Sequence, residues 1–168
     1  RPDAEKFARW AATVPYTIRN PLFHWTHLEL KRYFGVEELL TPASASGIYE
    51  HCNTLLQTPD FSVRHLLRKM QVRVLCTTDD PVDSLEFHRQ IAADGFDIKV
   101  LPTFRPDKAM AVENTEGFHT YLLKLEAASG TTIIRFKDFL DALKKRHDYF
   151  AEMGACMSDH GLEEAYAE

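Results

Sequence analysis

Three short apolar runs, at residues 72–77, 98–104 and 154–158, each end in a cluster of polar and charged side chains, with helical patterns between them. That alternation constrains the chain more than any other feature. Strand, helix, strand, helices, strand is the order of a parallel sheet, whose neighbouring strands need long crossover connections. The first run, Val72-Arg73-Val74-Leu75-Cys76-Thr77, stops at Thr78-Asp79-Asp80-Pro81. The second stops at Arg105-Pro106-Asp107 and the third, closing on Ser158, at Asp159-His160-Gly161. In parallel α/β folds the ligand sits beyond the carboxyl ends of the strands. The three clusters are therefore expected to converge on one small polar ligand. The competing reading is structural: acidic residues ahead of helices act as caps, and Asp80-Pro81 and Arg105-Pro106 are turns.

Helices are predicted over about residues 84–93, 116–128 and 136–152, with a turn at Ser129-Gly130-Thr131 where glycine supplies a positive φ. Residues 1–70 carry helical patterns alone. Asp3 is the expected cap of a first helix bearing Phe7, Trp10 and Ala11, and Asn20-Pro21 is the start signal of a second that stops at Gly35. Thr41-Pro42-Ala43-Ser44 opens a third helix with Ile48, Cys52, Leu55 and Leu56, and Ser62 is the expected cap of a short fourth. The chain thus divides into a helical region, 1–70, and an α/β region, 71–168, with no internal repeat.

Composition narrows the function classes. With 168 residues, 45% hydrophobic and 27% charged, the chain has ordinary globular chemistry. A net charge of -5 leaves no basic footprint, so nucleic acid is not an expected partner. No segment reaches the ~20 apolar residues of a membrane span, and the first residues lack a signal-peptide pattern. The chain begins at Arg1 rather than Met, so the natural protein is expected to start earlier. Cys52, Cys76 and Cys156 are odd in number and form no close pair, which points to a reducing, cytoplasmic setting.

Four segments are more specific. His24-Trp25-Thr26-His27-Leu28-Glu29-Leu30, Cys76-Thr77-Thr78-Asp79-Asp80-Pro81-Val82-Asp83-Ser84-Leu85-Glu86, Val100-Leu101-Pro102-Thr103-Phe104-Arg105-Pro106-Asp107-Lys108 and Ser158-Asp159-His160-Gly161 resemble segments of uronate isomerases, in that order. The resemblance implies the amidohydrolase superfamily and its distorted (β/α) TIM-type barrel. A closed barrel takes about 250 residues, so this chain is expected to supply roughly three of the eight strands, preceded by the helical region. The implied activity interconverts D-glucuronate with D-fructuronate and D-galacturonate with D-tagaturonate. The family's metal site uses a His-x-His pair and a late Asp that this chain lacks. A divalent metal, zinc by resemblance, is therefore expected to be held outside it, and the 168-residue chain alone is expected to be inactive. His24 and His27 lie in an aromatic setting that points to packing or an interface.

Moving a proton between C2 and C1 of a uronate needs a base, stabilisation of the carbonyl oxygen, and a cation for the substrate's carboxylate. Arg105 suits the last demand, because a guanidinium offers a carboxylate two parallel donors; the alternative is a structural ion pair, for example with Asp107. Asp159 is the candidate for acid–base work, its environment tuning its pKa; the alternatives are a turn cap or an orienter of His160. Both Asp159 and His160 face one centre only where the strand has already ended. Thr78, Asp79 and Asp80 either bind sugar hydroxyls or cap the next helix. Cys76 reads as core, and Lys144-Lys145-Arg146 as a solvated helix face. Two rivals remain: a metal-dependent hydrolase on the same barrel, separable by testing esters and amides against uronates, and a non-catalytic piece that self-associates, giving a homo-oligomer through exposed strand edges.

Overall fold

The computed structural model describes residues 1–161. It divides into two compact units, Arg1–Gln71 and the chain from Val72 onward.

The first unit is helical. Helix α1, Asp3–Thr13, has Pro2 at its cap position and no side-chain cap, so Asp3 is the first helical residue rather than the cap. It still suits the positive end of the helix dipole, and it pairs with Lys6 at 2.8 Å. Helix α2, Pro21–Phe34, starts as its sequence predicts: Asn20 Oδ1 accepts the Leu22 N–H at 3.0 Å. It ends at Gly35, whose φ of 70° is the left-handed conformation that closes a helix. Helix α3, Ala45–Leu56, buries Ile48 and Cys52. These pack with Ala11, Val14, Leu30 and Leu40 into one core, and burial raises the pKa of the Cys52 thiol. Helix α4, Val63–Lys69, has no side-chain cap, because the Ser62 hydroxyl turns to His65 Nδ1 at 2.8 Å. His27 is structural: Nδ1–H donates to the Phe23 carbonyl (2.7 Å) while Nε2 accepts the Leu40 N–H (3.0 Å).

The second unit carries the sheet. Strands β1, Val74–Asp79, and β2, Lys99–Phe104, pair in parallel from Val74↔Lys99 to Asp79↔Phe104. Helix α5, Glu86–Ala93, lies on the crossover between them. Helices α6, Thr115–Ser129, and α7, Phe136–Glu152, follow, and Gly130 ends α6 at a φ of 62°. Ala109, Tyr121, Leu125, Phe139 and Ala142 form one core; Leu85, Phe104 and Phe150 form a second beside the strand ends.

The third strand expected at 154–158 is reduced to a single parallel bridge, Phe104↔Ser158. Proline explains the shortfall. Successive residues of a strand point their N–H groups to opposite neighbours, so 102, 104 and 106 would serve this side. Phe104 donates to the Met157 carbonyl at 3.2 Å, but 102 and 106 are prolines without a donor.

Arg146 on α7 departs from the expected solvated position. It is not on a solvated face: it is 8% exposed and its guanidinium donates to the carbonyls of Pro81, Asp83 and Ala128 at 2.6, 2.8 and 3.1 Å. The Tyr149 ring stacks against it at 4.3 Å, and the Tyr149 hydroxyl donates to the Ser84 carbonyl. Clamped this way, the loop after β1 delivers the buried Leu85 in a left-handed conformation (φ 55°), rarely adopted by branched side chains.

Candidate active site

Backbone hydrogen bonds bring the three polar strand ends side by side. The Arg105 N–H donates to the Asp79 carbonyl at 3.0 Å, and the Asp159 N–H donates to the Phe104 carbonyl at 3.3 Å. Ser158 Oγ adds a bond to the same Phe104 carbonyl at 2.8 Å. Residues 103–105 are thereby tied to the end of β1 on one side and to the 157–159 segment on the other.

On that frame Arg105 and Asp159 form a two-pronged ion pair. Nε donates to Oδ1 at 2.9 Å and Nη2 to Oδ2 at 2.6 Å. Both side chains remain open to solvent, 30% and 46% exposed. The hydrogen bond from Arg105 holds the Asp159 carboxyl below its ordinary pKa and, reciprocally, raises that of the guanidinium. Beside them His160 Nδ1 donates to Asp107 Oδ1 at 2.7 Å, and the Gly161 N–H donates to Asp107 Oδ2 at 2.8 Å. The Gly161 bond, followed by His160, lowers the Asp107 pKa. Asp159 and His160 both turn into one cluster because the bridge ends at Ser158 and alternation no longer applies. Gly161 passes close to the pair: a Cβ there would lie 3.2 Å from Asp107 Oδ2 and 3.3 Å from Arg105 Nη1, and both side chains would have to give by a few tenths of an ångström.

The ends of β1 behave differently from a helix cap. Asp80 Oδ1 accepts the Val82 N–H and the Tyr121 hydroxyl, each at 3.1 Å, and Oδ2 pairs with Lys108 Nζ at 3.3 Å. The tight turn at Asp80, not a cap, is what its side chain serves, because α5 begins only at Glu86. Burial, then the Asp80 charge, pushes the Tyr121 pKa well up, so its hydroxyl stays a donor. Asp79 accepts the Thr77 hydroxyl at 2.6 Å and the Thr103 N–H at 3.3 Å, while Thr78 is exposed. Cys76 is half-buried in mid-strand. Lys108, Tyr121, Thr77 and His88 escaped the sequence reading. The signal for the last two was a Thr-x-Asp on a strand followed by a His on the next helix.

Among the described residues, no group of three or more His, Cys, Asp or Glu side chains is placed to hold a metal ion. His160 and Asp107 face each other, but Asp159 is committed to Arg105. What the cluster offers is a planar cation already shaped around a carboxylate, an ionised acid beside it, and an imidazole within the same rim.

A parallel β-strand pair flanked by helices, with a charged rim at the carboxyl ends of its strands, defines an α/β protein with a rim-borne polar site. The family model for glucuronate isomerase matches residues 1–168, and the chain belongs to that family. It is 58% identical over 166 residues to a uronate isomerase of Bacteroides thetaiotaomicron and 57% identical over 166 residues to one of Phocaeicola vulgatus. Each match takes in 99% of this chain and 36% of the relative, so the chain spans about a third of their length. Among solved structures it resembles a Thermotoga maritima uronate isomerase, with TM-score 0.89 and 38% identity over 95% of this chain and 35% of that one. A Caulobacter crescentus glucuronate isomerase matches at TM-score 0.89 and 26% identity, over 95% of this chain and 33% of that one.

Proposed function

We propose that this chain forms part of a uronate isomerase that interconverts D-glucuronate with D-fructuronate and D-galacturonate with D-tagaturonate. The observation that carries the reading is the bidentate Arg105–Asp159 pair at the joined strand ends. A guanidinium that grips the two oxygens of Asp159 offers a sugar acid's carboxylate the same planar fit. When the substrate's carboxylate takes that fork, Asp159 loses the partner that depresses its pKa and becomes a stronger base, suited to carry the proton between C2 and C1. Asp159 is thus the proposed acid–base residue and Arg105 the proposed substrate clamp.

The parallel pair and its crossover helix are read as part of a (β/α) TIM-type barrel of the amidohydrolase superfamily. The described residues do not fit a metal, so a divalent ion, zinc by the family resemblance, is proposed to be held by residues beyond this chain. Three free cysteines and the absence of a helix long and apolar enough to cross a membrane, among the described residues, fit action in the cytoplasm.

The test is Arg105→Ala in a full-length isomerase carrying this segment. We expect a fall in kcat/KM of about 100-fold or more, the scale on which a charge-assisted positioning contact acts. Uronate turnover within a few-fold of the unsubstituted enzyme would show that Arg105 does not hold the substrate.

A further inference from the structure

We propose that His88 is a positioning residue for Arg105, acting through Thr77 and Asp79. The side chains of His88 and Asp79 are 10% and 13% exposed, so this is a largely covered polar chain beneath the rim. Thr77 Oγ1 lies 2.6 Å from Asp79 Oδ2, 2.7 Å from His88 Nε2 and 3.3 Å from the Leu101 carbonyl. A threonine hydroxyl has one proton, and both the carboxylate and the carbonyl can only accept. The proton goes to the carboxylate, the nearest and charged acceptor. His88 Nε2 must then carry a hydrogen and donate it to Thr77 Oγ1. Its Nδ1 is buried without a partner, and an unmet lone pair there is tolerated better than an unmet N–H. The geometry therefore assigns the Nε2–H tautomer.

The far end of this chain is the Arg105 backbone. Asp79 holds β2 at two points: its carboxylate accepts the Thr103 N–H and its carbonyl accepts the Arg105 N–H. Fixing the Asp79 side chain from behind fixes the residue that sets where the guanidinium starts. His88 is on α5 and its hydrogen bond is to Thr77, not to Arg105 or Asp159, so its influence passes through Thr77 and Asp79. That the placement serves a sugar acid rests on the proposed function; the placement itself does not.

Two measurements on a full-length isomerase carrying this segment test the idea. In the unsubstituted chain, imidazole nitrogen shifts at a pH well above the ordinary imidazole range report the tautomer. We expect hydrogen on Nε2; hydrogen on Nδ1 overturns the proposal without any variant. The second reads hydrogen exchange at Arg105 Nε–H, the donor to Asp159. Thr77→Val and His88→Leu should each accelerate it about tenfold, while His88→Gln, whose amide nitrogen replaces Nε2, should keep it near the original rate. Unchanged exchange in Thr77→Val, or no difference between His88→Gln and His88→Leu, overturns it. No uronate is present in either measurement. A failed Arg105→Ala kinetic test would therefore remove the substrate reading and leave this chain of contacts standing.

Discussion

At the scale of single residues, the rim is governed by who donates to which carboxylate. Asp159 is held ionised by Arg105, and Asp107 by Gly161 and His160. A carboxyl whose pKa is depressed on folding adds stability above its unfolded value, near 3.9. That contribution is lost as pH falls through the folded value. We therefore expect the Asp159 carboxyl carbon to titrate below an ordinary aspartate, and Arg105→Ala to return its midpoint towards the ordinary value. A midpoint indifferent to Arg105 would mean that the pair does not persist in solution. The polar clusters that hold Arg105 and Asp159 are legible because each follows an apolar run, and the family resemblance picked these two residues within them. Their partnership is not legible locally, since 54 positions separate them; Asp107, one example of an ion-pair partner for Arg105, bonds His160 instead.

At the scale of elements, turn and cap chemistry carried most of the boundaries. Asn20-Pro21 starts one helix by side-chain capping, and Gly35 and Gly130 end helices through a left-handed backbone. For Arg146, where prediction failed, a longer-range contact had won. Arg146 sits in a run of basic residues that reads as solvated, yet α7 turns it inward onto three carbonyls. Burial lowers its pKa, and the bonds to those carbonyls offset the cost of desolvation. Lysine keeps the charge but cannot reach three carbonyls with one planar group. Arg146→Lys should cost about 2 kcal/mol of stability, measurable as a lower urea midpoint at constant slope. A change under roughly 0.5 kcal/mol would mean that the clamp is dispensable. The third strand failed for a reason that was present in the sequence but needed the register to be seen: Pro102 and Pro106 share the parity of Phe104.

For the whole molecule, the chain contributes one rim of charged strand ends and no metal set among its described residues. In the proposed reading the metal that would stabilise the carbonyl oxygen is held beyond this chain. The 168-residue chain by itself should therefore show no uronate isomerisation, with or without added zinc, in an assay sensitive enough to detect a ten-thousandth of a typical kcat of about 10 per second. Turnover by the purified chain would refute this. The amino-acid sequence by itself determined which stretches are helical or extended, most element limits and the polar clusters, because propensity, capping and hydrophobic period act over a few residues. Tertiary structure alone decided which charges pair, which arginine is buried, and how His88 reaches the strand ends. Those outcomes depend on distances between residues far apart along the chain, and local pattern carries no information about them.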